Sequence, residues 1–197
     1  MKKLFLALAL SIATSPIGSK AETIHLDSPT GHQRSAQHTI SFNYGLSWIV
    51  SKVYDYQAYK NYRWRGGQEL QTEYTCVFAQ GLGFGLVGSF NWTEYPAAQI
   101  TQLHIAPEFV FAHDLGDHWR VKASAGLGLA YYNDEAASHY GLGSNLSGGI
   151  EYKFTRHFGI GAELNSMSGN YGKSDYNDNE IDGFVRLNAL VGVRFHF

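Results

Sequence analysis

The sequence predicts an all-β fold, an eight-stranded antiparallel up-and-down transmembrane β-barrel. Three observations lead there. Eight segments alternate apolar and polar residues with period two, the mark of strands with two unlike faces. The connections between them alternate short and long, as in barrels whose short turns all lie at one end. The last segment is itself alternating and runs to an aromatic residue, Phe197.

Taken in order, residues 1–21 read as a signal peptide. Lys2 and Lys3 supply the positive start, Leu4 to Ala13 an apolar stretch, and Ser19-Lys20-Ala21 the small residues of a cleavage site. A stretch of about ten apolar residues is too short to span a bilayer, which needs about 20. Residues 22–36 form a polar periplasmic lead-in without clear period, and residues 37–197 are assigned to the barrel.

The first strand, Gln37–Val50, sets Ile40, Phe42, Tyr44, Leu46 and Trp48 against Thr39, Ser41, Asn43, Gly45 and Ser47. Gln68–Phe78 sets Leu70, Tyr74 and Cys76 against Gln71, Glu73 and Thr75. Leu82–Trp92 opposes Phe84, Leu86 and Phe90 to Gly83, Gly85, Ser89 and Asn91. In Ile100–Ala112, Leu103, Ile105, Phe109 and Phe111 oppose Gln102, His104 and Glu108. Pro107 removes a ladder donor there, so a bulge or local distortion is expected.

The second half repeats the pattern. Trp119–Tyr132 opposes Val121, Ala123, Ala125, Leu127 and Leu129 to Lys122, Ser124, Gly126 and Gly128. Leu142–Phe154 opposes Leu146, Ile150 and Tyr152 to Asn145, Ser147, Glu151 and Lys153. Phe158–Met167 opposes Ile160, Ala162 and Leu164 to Gly159, Gly161, Glu163 and Asn165. Phe184–Phe197 carries Val185, Leu187, Ala189, Val191, Val193 and Phe195 on one face, with Arg186, Asn188, Gly192, Arg194 and His196 on the other.

Short connections at 79–81, 113–118 and 155–157 face the periplasm by this reading, and longer ones at 51–67, 93–99, 133–141 and 169–182 face outward. Phe78, Phe111, Trp119, Phe154, Phe158 and Phe197 cluster at the short-turn end, and Trp48, Trp92 and Tyr131 at the other. Two such aromatic belts mark two membrane interfaces. A soluble barrel would have to pack these large apolar side chains inside a lumen of eight strands, which is too narrow for them.

Composition agrees. Charged residues are 16% of the 197 and aromatics 15%, with 22 Gly and 4 Pro, where soluble domains carry about 25% charged residues. Without residues 1–21 the balance is 12 basic against 17 acidic residues, about −5, so nucleic acid is not an expected partner. Cys76 stands alone and forms no internal disulfide.

Inward charges form a second pattern. Glu73, Glu108, Lys122, Glu151, Glu163 and Arg194 lie at similar distances from the periplasmic strand ends. Facing charges in a narrow lumen must pair, so an interior network plugging the barrel is expected in preference to an ion pathway.

The chain from about Thr39 to Phe197 resembles the small eight-stranded outer-membrane proteins of the OmpX and OmpA transmembrane-domain type, including the Bacteroidetes-like outer-membrane β-barrel family. The likeness is carried by the alternation, by Ile105-Ala106-Pro107-Glu108-Phe109, by Trp119 with Ala125-Gly126-Leu127-Gly128, and by Val191-Gly192-Val193-Arg194-Phe195-His196-Phe197. It implies residence in the outer membrane of a Gram-negative envelope, among lipids and lipopolysaccharide. It also implies recognition of Phe197, Phe195, Val193 and Val191 by the barrel assembly machinery.

No residue set compels catalysis, and no catalytic residue, metal ligand or cofactor is assigned. The nearest acyl-hydrolase candidates are His139 with Ser138 or Ser144 and Asp134 or Glu135, placed in the third long loop. They look unlike the His-x-Ser-Asn motif of lipid A deacylase barrels, because His139 is followed by Tyr140 and Gly141. The nine His make no metal-ligand spacing, and His104 and His196 are expected inside the lumen. The acidic run 175–180 lacks a calcium-loop pattern. Gly81, Gly83 and Gly85 follow strand parity and read as lumen fillers. Residues 53–65 interleave Tyr54, Tyr56, Tyr59, Tyr62 and Trp64 with Lys60, Arg63 and Arg65, which suits a hairpin extension touching headgroups or a surface ligand. The expected protein is a non-enzymatic, porin-like monomer of the envelope and cell surface. A lipid A-modifying acyl hydrolase or transferase and a narrow channel are the alternatives.

Overall fold

The computed structural model describes residues 36–50, 54–55, 60–61, 66–94, 99–133, 138–173 and 181–197. Eight long strands alternate in direction: β1 (Gln37–Ile49), β4 (Gly66–Val77), β5 (Leu82–Glu94), β6 (Gln99–Leu115), β7 (Trp119–Asn133), β8 (Ser138–Lys153), β9 (Phe158–Lys173) and β10 (Ile181–His196). Each pairs with its chain neighbour, and β10 pairs with β1 to close the barrel. In the first outer connection, β2 (Tyr54–Asp55) pairs antiparallel with β3 (Lys60–Asn61), so part of that connection is a hairpin. The signal peptide, nearly all of the lead-in, Asp134, Glu135 and the acidic run 175–180 lie outside the described residues.

Closure reaches the aromatic end of the chain. His38 and Phe197 exchange backbone hydrogen bonds at 3.2 and 3.1 Å. Once around the barrel, the ladder runs Thr39, Thr75, Gly85, Glu108, Gly126, Asn145, Met167 and Arg186, and returns to β1 at Ile49, ten residues above its start. That stagger tilts the strands by roughly 35–45° from the barrel axis. All the linking residues from Thr75 to Arg186 point inward, so one turn of the ladder climbs a spiral of lumen side chains.

The short turns are tight. Phe78 and Gly81 close the first turn (Gly81 N–H to Phe78 O, 2.9 Å), with Gly81 at φ +85°. Gly81 is therefore a turn residue, and only Gly83 and Gly85 serve as lumen fillers; the positive φ excludes it from the strand. The turn after β6 is only residues 116–118, with Gly116 at φ +72°. In the third, Thr155 Oγ1 accepts from the backbone N–H of His157 and Phe158 at 3.2 and 3.0 Å.

One expectation needs correction and another is narrowed. Strands β6 to β10 run farther outward than the alternation shows, so three of the outer connections shrink to 95–98, 134–137 and 174–180. At Pro107 the expected irregularity is a distortion and not a bulge: Ile105↔Leu129 and Glu108↔Gly126 keep one register, and the β6–β7 ladder skips the pairs between them. Pro107 lacks the N–H those pairs would use, and its ring lies on the outer face. The register shift lies between β9 and β10, where Asp182 pairs with Gly172 but Gly183 with Asn170, leaving Tyr171 as the extra residue.

Candidate functional site

Inside and outside divide by parity along every barrel strand. Phe42, Leu46, Phe84, Leu86, Phe109, Leu127, Leu146, Leu164 and Val191 are exposed on the exterior, Phe109 and Leu164 each at 70%. The interior holds Asn43, Gln71, Glu73, Asn91, Gln102, Glu108, Asn165, Arg186 and Asn188, all buried. This inverts a water-soluble domain. An apolar exterior of this extent is stable only against lipid, and a closed ladder leaves no unpaired backbone edge in the hydrocarbon. Aromatic rings sit where the alternation puts them: Trp119 packs edge-on to Tyr152 at 5.0 Å and Phe158 against Phe195 at 5.6 Å near the short turns. Phe90 meets Trp92 at 5.6 Å near the outer end.

The lumen is filled in layers. At the short-turn end Asp114 Oδ1 takes both Arg120 Nε at 2.7 Å and Lys153 Nζ at 3.0 Å. Above it, His196 bonds Glu151 through Nε2 at 2.6 Å and Thr39 through Nδ1 at 2.9 Å. The central layer is an ion-pair group. Lys122 Nζ lies 2.5 Å from Glu73 and 2.9 Å from Glu163, and Arg194 Nη2 lies 3.4 Å from Glu163. Glu108 accepts from Ser124 at 2.7 Å and Asn145 at 3.3 Å in the same layer.

Farther out, Gln71 and Asn165 are linked at 3.1 Å, and Gln71 also donates to Glu163 at 3.1 Å. Near the outer end Arg186, 0% exposed, donates to Thr93 at 2.8 Å, to Ser47 at 3.3 Å and to Gln102. Gln102 in turn donates to the Tyr171 hydroxyl at 2.7 Å. Of the expected inward charges, Lys122 meets Glu73 and Glu163 and Arg194 meets Glu163, while Glu108 takes Ser124 and Asn145 and Glu151 takes His196. The cavity beside Glu73, Lys122, Glu151 and Arg194 measures about 20 Å³, room for about one water.

Glycines make the room. A Cβ on Gly161 would overlap the Arg194 guanidinium, one on Gly159 the Glu151 carboxylate, and one on Gly143 the His104 ring. Gly161→Val should therefore push Arg194 off Glu163 and cost about 1–3 kcal/mol. Gly148→Ala, whose added carbon meets nothing within 4 Å, should cost far less. Urea unfolding in lipid vesicles measures both, and equal losses would contradict the cradle.

Several lumen groups escape a reading of the sequence alone. Asp114 is hidden because residues 113–118 read as a turn, while Arg120 lies in the expected strand with the parity of Lys122 but is absent from the expected inward charges. Glu69 continues the parity of Gln71 and Glu73 just inside the strand's start. Val77, Val110 and Ala112 point inward as a small apolar cluster, against the rule that inward means polar.

The described catalytic candidates, Ser138, His139 and Ser144, do not assemble. Ser138, His139 and Ser144 belong to strand β8, not to a loop. Residue parity puts Ser138 and Ser144 on the face opposite His139. Ser138 instead accepts from Asn133 at 2.6 Å, His139 packs on Tyr132 at 6.1 Å, and Ser144 bonds Ser168 at 2.7 Å. His104 and His196 lie inside the lumen. Among the described residues no His, Cys, Asp and Glu cluster has the geometry to hold a metal ion.

No protein-family model and no curated protein matches the chain in sequence. Solved structures match its fold. Neisserial surface protein A superposes with a TM-score of 0.62 at 13% identity, over 81% of this chain and 97% of that one. Ail, the attachment invasion locus protein of Yersinia pestis, in complex with the heparin analogue sucrose octasulfate, gives 0.52 at 14% identity, over 83% and 99%. The N-terminal β-barrel domain of Pseudomonas aeruginosa OprF gives 0.51 at 15% identity, over 83% and 100%. At these identities the likeness is one of fold: the chain is an eight-stranded barrel of the type found among outer-membrane proteins.

Proposed function

We propose that this chain is a non-enzymatic integral protein of the bacterial outer membrane, a plugged barrel that contributes to envelope integrity or surface interaction. One observation carries the reading: charged and amide side chains bond to one another from Asp114 at one end of the lumen to Tyr171 at the other. A barrel filled in this way is a rigid membrane-embedded body. Its separated Ser138, Ser144 and His139 speak against acyl transfer at those positions.

In this reading residues 1–21 are removed on export and residues 22–36 remain in the periplasm. The final strand, with Val191, Val193, Phe195 and Phe197 outward, presents the signal for the assembly machinery and then closes on β1. Lipids and lipopolysaccharide are the partners that the aromatic belts meet, and strands β6 to β10 carry the outer connections toward the surroundings.

Two measurements test the proposal. The protein should fractionate with the outer membrane and show heat-modifiable gel mobility. Purified and inserted into a planar bilayer, it should show no stable single-channel current. Steady open-channel conductance would replace the plug with a channel, and altered acylation of lipid A on expression would restore the enzyme reading.

A further inference from the structure

The exterior wall is not apolar throughout. On β8 and β9, Ser144, Ser166 and Ser168 share the outward parity of Leu146 and Leu164 and are half-buried. Ser144 pairs with Ser168 across the ladder, and their hydroxyl oxygens lie 2.7 Å apart. Apolar neighbours surround the three. Leu127 stands opposite Ser144, Leu146 and Leu187 flank Ser166, Val185 stands opposite Ser168, and Leu142 and Leu164 lie along the strands, all exposed. Serine is shorter than leucine, so the hydroxyls form the floor of a shallow recess with an apolar rim. The rim breaks where β9 continues outward to Asn170, which is exposed.

Depth sets these hydroxyls apart. Ser166 stands eight residues and Ser168 ten above Phe158, the aromatic at the short-turn end of β9. With about 3.3 Å per residue and a tilt of roughly 35–45°, they lie about 20 and 25 Å up the membrane normal, inside a core about 30 Å thick. Each hydroxyl has one proton to donate. One of the three serves the Ser144–Ser168 bond, and the other two meet no acceptor among the described residues. Hydrocarbon offers none, so two donors in the recess are left without an oxygen.

The geometry points to this recess as a binding site for an ester carbonyl carried on a lipid acyl chain. A carbonyl oxygen brings two lone pairs and no donor, the complement of two unmatched hydroxyl protons. The ester that joins a chain to its headgroup stays in the interfacial region, above Ser166. The ester that fits is set several carbons down, where a second acyl chain branches from the first. Such a chain enters from the boundary past Asn170 and lies along the wall between the leucines. A second copy of this chain is the poorer occupant, because two leucine rims would meet first and hold the serine floors apart. The inference rests on the apolar wall being embedded in lipid; only the name of the leaflet rests on the orientation proposed above.

The test places the mature protein in phosphatidylcholine vesicles with a phosphatidylcholine whose one acyl chain carries a second through an ester at its third carbon. That ester carbonyl is isotope-labelled, and infrared spectroscopy should show its stretch moved to lower wavenumber, saturating at one lipid per barrel. Ser166→Ala, with folding checked by heat-modifiable mobility, removes one donor and should weaken binding about fivefold, the worth of one hydrogen bond. Adding Ser144→Ala should weaken it further. The ether analogue, which lacks the carbonyl, should not compete. The inference is overturned by an absent or unsaturable band, by unchanged affinity in S166A, or by equal competition from the ether. Resonance energy transfer between labelled barrels that S166A abolishes would also overturn it, by giving the recess to a second copy. An absent band beside a clear loss of stability in Leu164→Arg, measured in the same vesicles, strikes this inference alone. No loss at Leu164 strikes the embedding on which it rests.

Discussion

Replacing Lys122 with Met is expected to destabilise the folded barrel by about 3–5 kcal/mol, the usual cost of removing one partner from a buried ion pair. Among the described residues, Lys122 is the only cation within ion-pair distance of both Glu73 and Glu163, at 2.5 and 2.9 Å. Without it, Glu73 keeps the Ser41 hydroxyl at 3.2 Å, while Glu163 keeps Arg194 at 3.4 Å and Gln71. The two carboxylates are therefore not equally stranded. Glu73 loses its cation, and Glu163 retains one.

That asymmetry gives the experiment its discrimination. Adding Glu73→Gln to Lys122→Met should recover a substantial part of the loss, because it removes the stranded charge. Adding Glu163→Gln instead should recover less, since Arg194 would then lose its own partner. Urea unfolding in vesicles, with tryptophan fluorescence as the signal, reads all four proteins. If Lys122→Met unfolds like wild type, the central layer does not hold the barrel together and the plug reading weakens with it.

Which face each residue takes was legible because a bilayer imposes one rule on every strand. Lipid on one side and a packed polar lumen on the other leave a clean period of two, and Phe42, Glu73, Lys122 and Leu164 all follow it. Outside the hydrocarbon the rule lapses. Gln99, Thr101, Asn133 and Ser138 are polar or small without regard to face, so the alternation stopped short of the true ends of β6 to β8. A short turn hid Asp114 for a related reason: a charge near a rim reads as solvated turn until the ladder shows that Asp114 faces Arg120 across the hairpin.

Contacts across the lumen were less legible than faces. Parity places Glu163 and Lys122 inside, but whether they meet depends on the stagger accumulated around eight strands. The register shift at Tyr171, farther out between β9 and β10, is likewise announced by no residue type. Val77, Val87 and Val110 are apolar yet buried in the lumen. Apolar volume fills space between ion-pair layers where no hydrogen-bond partner is in reach, so an inward position need not be polar.

Leu164→Arg is expected to cost about 2–4 kcal/mol in a lipid bilayer, the penalty for a cation on the outer wall of a barrel at mid-depth. Its depth follows from the chain. Leu164 stands six residues above Phe158, the aromatic at the short-turn end of β9. At about 3.3 Å per residue, and with a tilt of roughly 35–45°, that is about 15 Å along the membrane normal, half of a hydrocarbon core about 30 Å thick. Tyr140 is just as exposed, at 79%, but pairs with Tyr131, one of the outer aromatics, and so stands at the outer interface. Tyr140→Arg should therefore cost about 0–1 kcal/mol. The two variants share exposure and introduced charge and differ chiefly in depth. Unfolding both from lipid vesicles separates a membrane-embedded wall from a merely exposed one: a large gap requires hydrocarbon at Leu164, and equal costs would mean that the apolar exterior is covered by something other than lipid.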